Sequence, residues 1–320
     1  MKKGLLISIG LMLLSQHANA QTYFDVYEFG HVNPSASIAA SSIDSIGIIG
    51  SSESTRVVCF YKSNQYVNRH FAGGIDSIKV MRPTDKLRIT VKGVSFNMVM
   101  VSGGTFQMGA PSEKDYNHGI SEDELPVHQV TLSDYHIGET EVTQELWLAV
   151  MGSNPSAHYW PYNPQNPVEQ VSWNDCQTFI TKLNQFTGMH FRLPTEAEWE
   201  FAARGGNASK GYIYSGSNDI GEVAWYFDNS DYNTHEVGTK SPNELGIFDM
   251  SGNVLEWCQD WKGPYSSSAQ TNPTGPSSGN ARVLRGSSWA GKANRDCRVW
   301  DRYTALPDDR CPDFGLRLAL

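Results

Sequence analysis

Residues 192–206 read RLPTEAEWEFAARGG, and this stretch predicts a short helix with a clear beginning and end. Thr195 is a favourable N-cap residue, and Glu198, three positions later, completes the pattern of a capping box. Two glycines stop the helix, because glycine readily adopts the left-handed backbone conformation that follows a helix end. We expect Trp199, in the middle of this helix, to lie in the core.

Two further helices are predicted upstream of this stretch. Residues 171–188, VSWNDCQTFITKLNQFTG, begin with Ser172 as the N-cap. Apolar residues then recur at helical spacing and form a buried stripe: Cys176, Phe179, Ile180, Leu183 and Phe186. The shorter segment TQELWLAVMG, residues 143–152, predicts a third helix that is capped by Thr143. The position of Cys176 on the stripe indicates a structural role.

Seven segments follow one another between residues 96 and 320. They are MVMVSGGTFQMGA, PVHQVTLSDYHIGETEVTQELW, NPVEQVSWNDC, FRLPTEAEWEFAARGG, NELGIFDMSGNVLEWCQDW, RVLRGSSW and FGLRLAL. This ordered set resembles the formylglycine-generating enzyme family, whose members are also called sulfatase-modifying factors. The resemblance implies an α+β fold, a variant of the C-type-lectin fold with little regular secondary structure. It also implies a packed aromatic interior, which we expect to include Trp147, Trp199 and Trp257.

The resemblance further implies a copper site, which this sequence does not reproduce. Oxidases of the family carry a closely spaced cysteine pair after an RGGSW-like segment, and the two thiolates hold the copper(I) ion that activates oxygen. Thiolates suit copper(I), which prefers soft ligands. Here RGSSW occupies residues 285–289, and Cys297 falls at or just past the place of the first cysteine. Arg302 stands where the second is expected, and a guanidinium has no lone pair to offer a metal.

We therefore expect the copper-oxidase site to be absent and Cys297 to be a structural thiol or a disulfide partner. Cys311 lies 14 residues further on and would need a loop that folds back. A nucleophilic or redox role for Cys297 stays open, since the flanking Arg295 and Arg298 are cations of the kind that lower a thiol pKa.

The chain has five cysteines in all, and an odd number leaves at least one unpaired in a monomer. Cys59 sits in a strand-like run, where a small buried side chain is the ordinary role. The other four permit three complete pairings, and the sequence does not choose among them: Cys176, Cys258, Cys297 and Cys311.

The segment DMSGNVLEW, residues 249–257, resembles a calcium-binding segment of the family. The resemblance implies backbone carbonyl ligands at Asp249, Gly252 and Val254, and a carboxylate ligand at Glu256. Calcium takes several oxygen ligands, so this donor set is chemically reasonable. The alternative is a tight turn in which Glu256 only accepts hydrogen bonds from backbone amides. A second calcium site of the family has no recognisable counterpart in this chain.

The first twenty residues, MKKGLLISIGLMLLSQHANA, predict a secretory signal peptide. Lys2 and Lys3 precede an apolar run over residues 4–14, and small residues lead up to a cleavage site near Ala20. We therefore expect an exported protein, periplasmic or extracellular, in an oxidising compartment that permits disulfides.

A duplicated region is predicted after the signal peptide. SSIDSIGI at residues 41–48 recurs as GGIDSIKV at 73–80, and each copy follows a strand-like run. We interpret residues 21–82 as a small duplicated β-rich region. Residues 83–95 then form a linker and entry strand, and residues 96–320 the sulfatase-modifying-factor-like domain.

Charge and composition exclude some classes of partner. The net charge of −9 argues against binding to nucleic acid or to an anionic membrane, since both require a basic face. No later segment is apolar enough to span a bilayer. The acidic stretch SEDELPVHQ at residues 121–129 is expected to be a solvated loop, and His128, His136 and His235 lack the spacing of helical metal ligands.

Three classes of function remain. The first is a secreted, non-oxidase member of the family that has a binding or structural role at the cell envelope, with a protein or glycan partner. The second is a formylglycine-generating oxidase that acts on a sulfatase polypeptide with copper and oxygen. The third is iron-dependent sulfur chemistry, which would take its metal ligands from a histidine-rich domain that is not found before residue 96. We favour the first class.

Overall fold

The computed structural model describes residues 86–110, 121–157, 163–292 and 296–320 in full, and between residues 23 and 81 it describes the backbone of six strands. The predicted signal peptide, residue 82 and residues 83–85 of the predicted linker lie outside the described residues.

The six N-terminal strands form two equivalent sheets. The strands are β1 (Tyr23–Glu28), β2 (Ala36–Ala39), β3 (Ser45–Ile49), β4 (Val57–Lys62), β5 (Gln65–Phe71) and β6 (Ile75–Met81). Their order is β2-β1-β6 in one sheet and β3-β4-β5 in the other, and all pairs are antiparallel. The strands that carry the repeated motif, β3 and β6, pair with the first strand of the opposite repeat. Each repeat therefore contributes one strand to the sheet of the other.

The rest of the chain combines short helices with three small sheets, which confirms the predicted α+β class. The strands are β7 (Leu87–Val91), β8 (Val94–Val101), β9 (Gly104–Met108), β10 (His128–Leu132), β11 (Tyr135–Gly138), β12 (Leu255–Trp261), β13 (Gln270–Thr271), β14 (Arg282–Arg285), β15 (Tyr303–Ala305) and β16 (Phe314–Gly315). The helices are α1 (Gln144–Met151), α2 (Trp173–Thr187), α3 (Glu196–Ala203) and α4 (Ile220–Val223). The sheet orders are β11-β8-β7, β13-β10-β9 and β15-β14-β12-β16.

Helix α3 lies at the centre of this part of the chain. Thr195 Oγ1 accepts a hydrogen bond from the Glu198 backbone N–H at 3.2 Å, and the Glu198 carboxylate accepts one from the Thr195 N–H at 2.8 Å. Gly205, with φ of +89°, follows the helix in the left-handed region, as predicted. Every residue of α3 is buried, including Trp199 and three glutamates, so this helix needs charged partners from elsewhere in the fold.

Helices α1 and α2 begin at the predicted caps. Ser172 and Asp175 form a capping box at the start of α2, and Thr143 caps α1. The predicted stripe of α2 is buried except at its end, where the prediction for Phe186 is wrong: its side chain is 50% exposed. Lys92 lies 4.1 Å from the centre of this ring and covers it from the neighbouring hairpin.

The two ends of the domain meet in the core. Leu87 and Ile89 of β7 pack in the same apolar cluster as α1, α2 and the C-terminal Leu316 and Leu318. The last residues hydrogen-bond to β11, where the Leu320 N–H donates to the carbonyl oxygen of His136 at 3.0 Å. Within the described ranges, no helix combines the length and the apolar character needed to cross a lipid bilayer.

Candidate functional site

The Cys297 thiol is buried in a small apolar cluster. It packs with Ile220 and Ala224, and Tyr214 and Tyr226 cover them. Burial, reinforced by Asp301 and Asp296, raises the pKa of Cys297 to about 12, against the opposing hydrogen bond to Ser287. The thiol is therefore protonated at neutral pH and a poor nucleophile in this conformation.

Of the two cations that flank Cys297 in the sequence, Arg295 lies outside the described residues. Arg298 pairs with carboxylates: its Nε donates to Asp301 Oδ1 at 2.7 Å, and its Nη2 lies 3.8 Å from Glu124 Oε1. The positive charge of Arg298 is thus matched by these carboxylates.

The other thiols occupy different surroundings. The four cysteines of the described ranges are free thiols, so none of the three disulfide pairings is formed. Cys176 packs in the cluster of α1 and α2, and Cys258 packs in a second cluster with Val299 and Trp300. Cys311 is half-buried, and burial together with Asp313 raises its pKa to about 11. The three fully buried thiols thus belong to three different clusters.

Arg302, predicted from the family resemblance to stand where a second copper ligand is expected, is held firmly by its neighbours. Its Nε and Nη2 donate to the two carboxylate oxygens of Glu196 at 2.6 and 2.7 Å, and its Nη1 donates to the Asp123 carbonyl oxygen at 2.6 Å. The guanidinium also lies 3.9 Å from the centre of the Tyr265 ring. Burial alone would raise the pKa of Glu196, but Arg302 and Arg285 outweigh it and hold that pKa below its ordinary value.

The predicted calcium carboxylate, Glu256, is completely buried at the start of β12. Its Oε1 accepts a hydrogen bond from Arg317 Nη2 at 2.7 Å, and its Oε2 accepts one from Trp199 Nε1 at 2.7 Å. The alternative in which backbone amides alone satisfy Glu256 is therefore wrong. This carboxylate joins α3 to the C-terminal segment that carries Arg317.

Asp249 contributes a second buried carboxylate to the same turn. Its Oδ2 accepts a hydrogen bond from the Gly238 N–H at 2.6 Å, whereas its buried Oδ1 has no hydrogen-bond partner. Burial raises the pKa of Asp249 to about 6, an effect that Glu256 strengthens. The turn also requires glycine at position 252, where a Cβ would lie 2.2 Å from the Trp225 carbonyl oxygen.

A third carboxylate, Glu141, was missed by the sequence reasoning. Its two oxygens accept hydrogen bonds from Asn253 Nδ2 at 3.0 Å and from the Val254 N–H at 3.2 Å. Burial, followed by the charges of Asp249 and Glu256, raises its pKa well above the ordinary value. The sequence around Glu141 gives no sign that this residue belongs to the site, because its hydrogen-bond partners lie more than 100 positions away in the chain.

These residues fit a cation. Three buried carboxylates share one guanidinium, and the partnerless Asp249 Oδ1 is an oxygen that a positive ion would satisfy. Among the described residues, no three His, Cys, Asp or Glu side chains converge closely enough to hold a metal by themselves. Backbone carbonyls would have to complete the set, which agrees with the donors implied for Asp249, Gly252 and Val254.

The acidic stretch at residues 121–129 is not the solvated loop that was expected. Glu124 and His128 are buried, and Asp123 forms an ion pair with Lys262. Burial and the charge of Asp301 raise the pKa of Glu124 to about 7. The stretch is instead clamped against the C-terminal half of the chain.

A partly exposed aromatic face lies next to the Cys297 cluster; we define it by Tyr226, Phe227, Tyr232, Trp289 and Lys292, of which Tyr226 and Trp289 are half-buried. Tyr232 is 66% exposed, and its ring meets that of Phe227 edge to face at 5.4 Å. The Phe227 N–H donates to the Gly291 carbonyl oxygen at 2.9 Å, which joins the two loops of the face. Lys292 lies 6.0 Å from the Phe227 ring centre.

The sequence of this chain is similar to a known protein family and to several known proteins. The sequence model of the sulfatase-modifying factor enzyme 1-like domain matches residues 90–320. The chain belongs to this family. A chaperone protein LppX from Paenibacillus barcinonensis is 34% identical over 277 residues, which cover 70% of this chain and 89% of that protein. A formylglycine-generating enzyme from Streptomyces coelicolor is 32% identical over 286 residues, which cover 69% and 88%.

Solved structures share the fold of most of this chain. Treponema denticola variable protein 1 superposes with a TM-score of 0.65 at 36% identity and covers 73% of this chain and 98% of its own. PvdO from Pseudomonas aeruginosa superposes with a TM-score of 0.60 at 28% identity, with coverages of 74% and 98%. The family and its fold were thus predicted correctly from the ordered motifs.

Proposed function

We propose that this member of the sulfatase-modifying-factor family is an exported binding protein of the cell envelope that does not carry out the copper-dependent oxidation. The observation that carries the proposal is the buried Arg302–Glu196 pair, because the family resemblance implies a second thiolate at the position of Arg302. A cation fixed at this position repels copper(I) instead of coordinating it.

The state of Cys297 supports the same proposal. A copper(I) site needs thiolates, and a thiol with a pKa of about 12 gives up its proton at a large energetic cost at neutral pH. Cys297 would also have to leave its apolar cluster to meet a second sulfur. The oxidase alternative therefore requires a rearrangement of the segment that carries Cys297 and Arg302.

The aromatic face is the surface that we propose for the partner. Tyrosine, tryptophan and phenylalanine provide large rigid contact areas, and such side chains are enriched at the centres of protein interfaces. The names of two relatives, a chaperone protein and a formylglycine-generating enzyme, favour a polypeptide partner over a glycan.

We further propose that calcium occupies the Asp249–Glu256 turn in a structural role. Bound calcium would supply the positive charge that Glu141, Asp249 and Glu256 lack. Asp249 Oδ1 is its first expected side-chain ligand, because Arg317 and Trp199 already hold both oxygens of Glu256. The ion would hold the turn next to the aromatic face and take no part in a reaction.

The activity test is direct. Purified protein, loaded with copper(I), is incubated under oxygen with a cysteine-containing sulfatase-motif peptide, and the peptide is followed by mass spectrometry. We expect the peptide to keep its thiol, and we expect Cys297→Ser to behave identically. Loss of the peptide thiol with gain of an aldehyde, abolished by Cys297→Ser, would establish the oxidase alternative and contradict the proposal.

A further inference from the structure

A groove of about 490 Å³ opens beside the end of β12, away from the Cys297 cluster. Its polar lining includes Glu196, Asp260 and Arg302, and its ring-bearing walls include His128, Trp261 and Tyr265. None of these residues belongs to the aromatic face or packs against Cys297. We call this cavity the Asp260 groove.

The carboxylate of Asp260 is the unbalanced group of the groove. Asp260 is only 4% exposed, and one oxygen accepts a hydrogen bond from the Glu196 backbone N–H at 2.9 Å. Among the residues that the structure describes, no cation forms an ion pair with it. Its neighbours are matched elsewhere, since Arg302 pairs with Glu196 and Lys262 pairs with Asp123.

Arg282 is a further cation that interacts electrostatically with Asp260: burial lowers the pKa of Arg282, and the charge of Asp260 opposes this. Its guanidinium lies between two indole rings, 3.8 Å from the centre of Trp173 and 3.5 Å from that of Trp261. Its Nη1 donates to the Gln259 carbonyl oxygen at 2.6 Å. Arg282 thus makes no ion pair with Asp260 among the described residues, and the Glu196 N–H is the donor that this carboxylate keeps.

The surroundings of Asp260 raise the pKa of its carboxyl group. Burial raises the pKa of Asp260 to about 7, and the neighbouring charges of Glu196 and Glu198 act in the same direction. The Glu196 N–H and the charge of Arg302 oppose this rise without cancelling it. His128 also faces the groove, and its Nδ1 lies 3.1 Å from the Pro126 carbonyl oxygen. Donation from Nδ1 would leave Nε2 as a second acceptor.

We propose that the Asp260 groove binds a small ligand through a protonated primary amine, whose N–H groups donate to the Asp260 carboxylate and whose carbon chain lies against Trp261 and Tyr265. An ammonium group supplies both the hydrogen-bond donors and the positive charge that Asp260 lacks. A neutral alcohol supplies donors but no charge, and a quaternary ammonium supplies charge but no N–H donor. An anion is repelled by Asp260.

The test compares two probes that differ in one group, 5-aminopentan-1-ol and 1,5-pentanediol, by ligand-observed NMR titration of the full chain at pH 8. We expect the amine to bind and the diol to show no saturable binding. Since only ionised Asp260 attracts the amine, its affinity should fall about tenfold from pH 8 to pH 6. This pH dependence is measured on the unmodified protein and needs no variant to fold.

Two variants complete the test. Asp260→Asn keeps the shape and the acceptor for the Glu196 N–H but removes the charge, so it should weaken amine binding at least tenfold. Asp228→Asn removes an exposed carboxylate outside the groove and should leave binding unchanged. Equal binding of amine and diol, or unchanged amine binding in Asp260→Asn, would overturn the proposal. Binding of methyl glucoside in place of the amine would also overturn it and indicate a polyol site.

Discussion

Replacing Arg302 with methionine tests a buried ion pair. Methionine keeps the apolar part of the side chain but removes the guanidinium from buried Glu196, and breaking a buried pair in this way costs about 3–5 kcal/mol. Glu196 keeps Arg285 at 3.8 Å and the Tyr265 hydroxyl at 3.2 Å, which places the expected loss at the lower end, about 3 kcal/mol. The Asp123 carbonyl oxygen also loses its donor.

Urea unfolding followed by tryptophan fluorescence measures this loss. All nine tryptophans lie between residues 147 and 300, so the signal reports the family domain and not the N-terminal strands. The double variant Arg302→Met with Glu196→Gln removes the unpaired charge as well, and we expect it to be more stable than Arg302→Met alone. The deficit of the single variant should shrink as pH falls toward the carboxyl range, because protonation of Glu196 then removes the unpaired charge.

A matched control separates this effect from the loss of any arginine. Arg310 forms a similar pair with Asp175 at 2.7 Å, but the Arg310 side chain is 50% exposed and that of Asp175 is 31% exposed. Arg310→Met should therefore cost less than about 1 kcal/mol. If Arg302→Met costs no more than Arg310→Met, Arg302 is not the fixed buried cation on which the functional proposal depends.

Three further predictions follow from the buried carboxylates and thiols. Asp260→Asn should stabilise the protein above pH 7 by up to about 4 kcal/mol, because a pKa raised to about 7 makes ionisation of Asp260 costly in the folded state. In urea unfolding at a series of pH values, this gain in the free energy of unfolding should vanish below about pH 4. A gain that is constant with pH would contradict the raised pKa of Asp260. If calcium occupies the Asp249–Glu256 turn, a chelator should lower the melting temperature of the unmodified protein in scanning calorimetry and have little effect on that of Asp249→Asn. Asp249→Asn is a sharper test than Glu256→Ala, because the latter also breaks the ion pair with Arg317. An equal chelator response in the unmodified protein and in Asp249→Asn would place the ion elsewhere. In native protein treated with iodoacetamide, mass spectrometry should find Cys311 modified first and Cys297 protected until unfolding; early labelling of Cys297 would show that its cluster opens readily.

Local features were predictable because their causes are local. The caps of α1, α2 and α3 depend on residues within one turn, so Ser172 with Asp175 and Thr195 with Glu198 were visible as spacing alone. Phe186 shows the limit of periodicity: a residue on the apolar stripe near a helix end is buried only if another element covers it. Here the covering element is the Lys92 side chain rather than the core.

The charged interior was not predictable, since its pairs join distant segments. Arg302 and Glu196 are 106 positions apart, and Glu141 meets Asn253 across 112. No spacing rule links such residues, so the acidic stretch that contains Glu124 resembled an ordinary solvated loop. The roles that the family resemblance implies for Glu256 and for the position of Arg302 stay predictions, and the resemblance gave no sign of the buried carboxylate at Asp260.

A copper(I) competition titration tests most directly whether this chain lacks a pair of soft ligands for the metal. Copper(I) is titrated anaerobically into the protein in competition with a chromogenic chelator of known affinity. If Arg302 stands in place of the second thiolate, as the family resemblance implies, and Cys297 stays buried with a raised pKa, we expect the chelator to keep the metal throughout. Uptake of one copper(I) ion per chain, lost in Cys297→Ser, would show that Cys297 finds a second thiolate and that the protein does have a copper site.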